Sequence, residues 1–174
     1  MKAYLRKLCT EAASTLAARH LVREYLQARI LLSLQRAGAM QTLGFHGGTA
    51  LRFLYDLPRY SEDLDFTLER GPEKYDFHAY LRQIKNDFTV EAYALDFKIS
   101  DKGVVDKAFV RFRGLLHELG LSGHKTEVLA VKLEVDTNPP DGADLNPTCS
   151  TSIMPSHNLT GQDPFLQVAT GETN

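Results

Sequence analysis

The sequence predicts an α+β fold: a mixed sheet flanked by helices, with helices at the N-terminus. Three observations carry this. Residues 3–37 contain no proline and place apolar residues three and four apart. Residues 63–136 hold several runs in which polar and apolar side chains alternate, as half-buried strands do. Ser100-Asp101-Lys102-Gly103 reads as a hairpin turn between two of these runs, which makes at least that pair antiparallel.

In the N-terminal segment Leu5, Leu8, Ala12 and Leu16, then Tyr25 and Leu32, fall at helical spacing, and Gly38 is a plausible stop. Thirty-five residues is long for one helix of a globular domain, so two helices broken near His20 are as good a reading as one. Thr42 to Phe45 is the first strand. Thr49 to Tyr55 is a helix packed behind it, with Leu51, Leu54 and Tyr55 on its buried side and Arg52 facing phosphates or solvent. Asp56-Leu57-Pro58 is a turn, because proline disfavours helix in the residue before it. A second strand runs from Asp63 to Leu68 and ends before Gly71-Pro72. Glu73 to Phe88 is the next helix, Thr89 to Ile99 a strand, and Val104 to Phe112 its partner, with Val105, Phe109 and Val110 as core candidates. Leu115 to Leu121 is a short helix or an irregular bridge. Thr126 to Asp136 is a clear strand that places Lys132, Glu134 and Asp136 on one face and Val131, Leu133 and Val135 on the other. After Asn138-Pro139-Pro140 no period is sustained. Residues 1–140 are therefore expected to form the domain, and 141–174 an irregular or partly disordered tail.

The 174 residues suffice for one domain with a proper core, and 43% hydrophobic with 24% charged residues is ordinary for a globular protein. No apolar run is long enough to span a bilayer, and no apolar signal core precedes a small-residue cleavage site. The expected location is the cytoplasm, with no membrane partner. Cys9 and Cys149 are far apart and without metal-ligand spacing, so they read as free thiols. Charge is unevenly spread. Residues 1–38 carry seven Lys/Arg against two Glu, an excess of five, which leaves −7 for the remainder of a chain whose net charge is −2. A basic end could attract a polyanion, or simply be a solvated helix face.

The chemistry concentrates in Phe45-His46-Gly47-Gly48-Thr49-Ala50-Leu51-Arg52 and Arg59-Tyr60-Ser61-Glu62-Asp63-Leu64-Asp65-Phe66. Asp63 and Asp65 are one residue apart on a strand, so both carboxylates point the same way and repel unless a cation lies between them. Hard divalent cations take such oxygens and keep positions open for phosphates. Gly47 and Gly48 permit positive φ and close approach of a phosphate to the main chain, and the helix after them aims its amides at an anion. Thr49 is a phosphate ligand or a helix cap, and Ser61 a phosphate ligand or a strand start. A plainer reading makes Gly47 and Gly48 a tight turn, and Asp63 and Asp65 an exposed acidic strand end paired with Arg59 or Arg52. His46 is read as structural, and His117, His124 and His157 form no metal set.

The glycine–glycine–threonine turn followed by Ser-Glu-Asp-Leu-Asp-Phe resembles the AbiEii/AbiGii toxin family, nucleotidyltransferases of the DNA polymerase beta-like superfamily. The resemblance covers roughly Glu24 to Pro140 and implies a nucleotidyltransferase-like sheet. It implies that Asp63 and Asp65 hold magnesium (or manganese) on a nucleoside triphosphate. A third acid on a later strand, Glu134 with Asp136 as rival, would help hold a second ion and lower the pKa of the attacking hydroxyl. Lys132 would neutralise phosphate or pair with Glu134. It further implies the toxin half of a bacterial toxin–antitoxin or phage-defence (abortive infection) system, with a cognate antitoxin as partner and tRNA or another RNA as acceptor. Family members continue into a helical C-terminal region with a lysine and an Arg-Asp pair that nothing here matches, so the chain is expected to be shortened. The rival expectation is a non-catalytic module of the same fold that binds an antitoxin or nucleic acid.

Overall fold

The computed structural model describes residues 2–55 and 57–139; the expected tail 141–174 lies outside the described residues. The N-terminal segment is two helices, α1 (Lys2–Glu11) and α2 (Thr15–Arg36). The break falls at Ser14 and not near His20, because the Ser14 hydroxyl caps α2 by accepting from the Ala17 amide at 3.1 Å. His20 lies within α2, stacked on Tyr60. Ala18, Val22, Leu26, Ile30 and Leu34, each four residues from the last, form the buried stripe of α2, while Leu16 is exposed. Gly38, with φ of 79°, follows the end of the helix in the left-handed conformation that such a stop requires.

Strand β1 (Leu43–His46) leads into α3 (Gly47–Tyr55), then β2 (Asp63–Leu68), α4 (Phe77–Val90), β3 (Leu95–Ser100), β4 (Val105–Arg113), α5 (Leu115–Glu118) and β5 (Val128–Asp136). The five strands form one mixed sheet in the order β1-β2-β5-β4-β3, parallel only between β2 and β5. The expected α+β architecture is therefore observed.

Three local expectations are corrected. In α3 the buried side is Ala50, Phe53, Thr49 and Arg52, whereas Leu51 and Tyr55 are exposed. The helix begins at Gly47, and its packing on β1 and β2 brings the 50/53 side inward. Helix α4 starts at Phe77 because Asp76 caps it, accepting from the Ala79 amide, and it extends through Thr89 and Val90, which are not strand. In β4 the inward set is Asp106, Ala108, Val110 and Phe112. Adjacent residues of a strand cannot share a face, so Phe109 turns outward.

One face of the sheet carries the core: Leu64 and Phe66 from β2, Leu129, Val131, Leu133 and Val135 from β5, and Ala108, Val110 and Phe112 from β4, under α2, α4 and α5. The other face carries Asp63, Asp65, Lys107, Phe109, Lys132 and Glu134, all less buried. Burying one face and leaving the other polar is what makes both the alternation and the register unambiguous.

Candidate functional site

The polar face is ordered by the register of the strands. His46, Asp65, Glu134, Lys107 and Ser100 are successive cross-strand partners from β1 to β3, and Asp63, Lys132, Phe109 and Lys98 form the neighbouring row from β2 to β3. Asp63, Asp65 and Glu134 thus converge, each offering a carboxylate oxygen, with all these oxygens within 4.8 Å of one another. An all-oxygen, carboxylate donor set of this size fits a hard divalent cation. Asp136, the rival third acid, pairs with Thr67 and Val105, and its carboxylate caps the Asn138 amide at 3.0 Å.

The charges show why a cation suits the cluster. Burial pushes the Asp65 carboxyl up from its ordinary value, the neighbouring Asp63 and Glu134 charges add to this, and His46 and Lys132 pull the other way without reversing it. Glu134 is also penalised by burial. Hydrogen bonds from Lys107 and Lys132 outweigh that and hold it below the usual carboxylate range. Lys132 Nζ lies 2.6 Å from Glu134 Oε2 and 3.6 Å from Asp63 Oδ2, and Lys107 Nζ lies 2.8 Å from Glu134 Oε1. Two ammonium groups therefore compensate Glu134 and Asp63, while Asp65 has no ion-pair partner among the described residues.

Gly47 packs directly against Asp65. It has φ of 77°, and a Cβ there would stand 2.4 Å from Asp65 Oδ2. At Gly48 a Cβ would be 3.2 Å from Ser61 Oγ, so Ser61 flanks the glycine turn. The N-terminus of α3 thus opens beside the carboxylates, with its first amides free of intrahelical partners. Thr49 is buried and its hydroxyl donates to the Asp63 carbonyl, which ties α3 to β2; it is not the helix cap. Arg52 faces neither phosphate nor solvent: Nε and Nη2 each donate to Glu24 of α2 at 2.9 Å, and the guanidinium lies 4.1 Å over the Tyr60 ring. The ion pairs imagined for Asp63 with Arg59 or Arg52 are absent among the described residues; its partner is Lys132.

Two participants escaped the sequence reading. Lys107 enters through the pairing of β4 with β5, which only the topology reveals. His46 faces Asp65 across β1 and β2, and its Nε2 is buried without a hydrogen-bond partner among the described residues. Its position just before the glycine turn was the available signal.

The model for the family described as nucleotidyl transferase AbiEii toxin, type IV TA system, matches residues 29–168. No curated protein matches the chain. Two solved Helicobacter pylori structures are similar, JHP933 and a second chain carrying a provisional nucleotidyltransferase assignment. Each is 27% identical over 70% of this chain, with a TM-score of 0.46. The match covers 46% and 47% of those chains, so the present chain spans less than half their length.

Proposed function

The chain belongs to the AbiEii nucleotidyl transferase toxin family, and from that premise we propose that it transfers a nucleotide from a nucleoside triphosphate to a hydroxyl of an RNA acceptor, tRNA above all. The observation that carries this reading is the convergence of Asp63, Asp65 and Glu134 beside the Gly47-Gly48 turn. Chemically, the acceptor oxygen bonds to the α-phosphorus, the bond to the β-phosphate oxygen breaks, pyrophosphate leaves and the hydroxyl proton passes to solvent. Asp63, Asp65 and Glu134 would hold magnesium or manganese, and a divalent ion there supplies charge neutralisation to the triphosphate and to the entering and leaving oxygens.

The chain's own residues supply the rest. Gly47 and Gly48 let phosphate oxygens approach the main chain, and the α3 amides receive them. Ser61 offers a hydroxyl beside Gly48. Thr49 fixes the height of α3 against β2, so that the amides and the Asp63 carboxylate keep their relative position. Lys132 and Lys107 orient Glu134, and Lys132, which also reaches Asp63, lends positive charge near the triphosphate. In this reading the protein is a toxin that acts in the cytoplasm, in phage defence, and is held in check by a cognate antitoxin. No helix among the described residues is long and apolar enough to cross a membrane.

A second reading, a non-catalytic module that binds antitoxin or nucleic acid, draws on the lysines that compensate Glu134 and Asp63. Labelled nucleoside triphosphates, magnesium and bulk tRNA separate the two. The enzyme reading expects label in RNA and a loss of about 100-fold or more in Asp63→Asn, with fold retained. A parent protein that labels no RNA with any of the four nucleotides would overturn it in favour of the module.

A further inference from the structure

The sheet face does not end at the carboxylates. One strand further out, β4 presents Phe109, and the register rings it with cations: Lys132 and Lys98 are its cross-strand partners on β5 and β3, and Lys107 and Arg111 precede and follow it by two residues on β4. Phe109 is 37% exposed, on the polar face of a strand that is second from the edge of the sheet. Lys98 is exposed and has no ion-pair partner among the described residues, whereas Arg111 shares Asp96 with Arg113 and Lys107 and Lys132 reach Glu134. A flat ring framed by positive charge is the pattern that single-stranded nucleic acids use, with bases stacking on the ring and phosphates resting on the cations.

The strand order gives this platform a direction. The glycine turn that would take the triphosphate lies at the β1 end, the carboxylates lie on β2 and β5, and the platform lies on β4 and β3. An in-line displacement brings donor and acceptor to the reacting phosphorus from opposite sides. With the triphosphate at one end, the acceptor must come across β5 from the other. Phe109 is two strands from Asp63 in the same row, about 10 Å away at ordinary strand spacing.

We propose that Phe109, with Lys98 and Lys107 beside it, is the acceptor platform: it stacks a base at the single-stranded end of the RNA whose hydroxyl enters the carboxylate site. This deepens the nucleotidyl-transfer reading and rests on it for the acceptor's role, while the binding itself needs no turnover. Duplex RNA offers a stackable face only at its ends, so the platform selects unpaired strands.

The test uses the full chain and a fluorescent single-stranded RNA of about ten nucleotides, within the range of site sizes for such grooves. Anisotropy should give tighter binding to it than to the corresponding hairpin-closed duplex. Phe109→Ala should weaken binding about 10-fold, Phe109→Trp should retain it, and Lys98→Glu should weaken it and flatten the salt dependence by about one phosphate contact. In each variant the rise in melting temperature with magnesium and nucleoside triphosphate should match the parent's, because that ligand sits at the other end of the sheet. Phe109→Ala and Lys98→Glu proteins that bind the strand as the parent does, or a parent that binds no single strand, would overturn the platform. Failure of nucleotide transfer with these binding effects intact would instead overturn only the enzyme reading.

Discussion

Asp65 is the carboxylate most at odds with its surroundings. It is half-buried, faces two other carboxylates and has no ion-pair partner among the described residues. Its folded-state pKa stands above its ordinary value, so the native protein binds that proton more readily than the unfolded chain does. The associated stability is present in acid and is lost as pH rises through the raised value. Asp65→Asn in metal-free protein should therefore raise the melting temperature near neutral pH by about 1–3 °C, a modest gain because water still screens the group. The gain should vanish below the ordinary carboxylate range, and melting curves across pH read it directly. A variant that melts lower at neutral pH would show that Asp65 is paired in a way the geometry does not contain. Gly47 is constrained by the same neighbour. Gly47→Ala forces a left-handed φ on a side chain whose Cβ meets Asp65, and should cost roughly 1–3 kcal/mol in urea unfolding. Gly48→Ala meets only the Ser61 side chain, its Oγ at 3.2 Å and its Cβ at 3.4 Å, and should cost distinctly less. Equal costs would contradict the packing described.

At the scale of elements, α3 is locked by a buried bidentate ion pair. Arg52 reaches Glu24 of α2 and also donates to the Leu57 carbonyl at 2.7 Å, so α2, α3 and the segment after α3 share one anchor. Glu24→Ala leaves the guanidinium buried beside an empty place and should destabilise the protein by about 3–5 kcal/mol. An unmoved urea midpoint would mean that the guanidinium finds solvent. The same pair explains what the sequence withheld. An arginine beside a glycine turn reads as a phosphate ligand or a solvated charge, and only the approach of α2, far away in the chain, turns it inward. Elements with strong local signals were legible: β2 and β5 came from alternation, the turn between β3 and β4 from its residues, and the end of α2 from Gly38. Helix starts were read less well where a cap outvoted periodicity, as Ser14 and Asp76 did. Phe109 was misplaced because hydrophobicity was weighed above the period-two rule.

At the scale of the whole molecule, the sheet order joins residues that no local pattern links. Asp63 and Asp65 were legible as a pair by spacing. Glu134 was legible as an outward-facing acid, but its meeting with them depends on β5 lying parallel beside β2, a non-local pairing across some seventy residues. Lys107 was invisible for the same reason. The order also divides the polar face into a glycine-turn end, a carboxylate centre and a basic–aromatic end, and the proposed function stands or falls on that centre. The most direct test is calorimetric titration of the metal-free protein with magnesium or manganese and a nucleoside triphosphate, alongside Asp63→Asn. The account predicts that the parent binds metal and nucleotide cooperatively and gains several degrees of melting temperature by mass action, and that Asp63→Asn loses both without losing its fold. Identical titrations for the two proteins, or a parent silent to every metal–nucleotide pair, would contradict it.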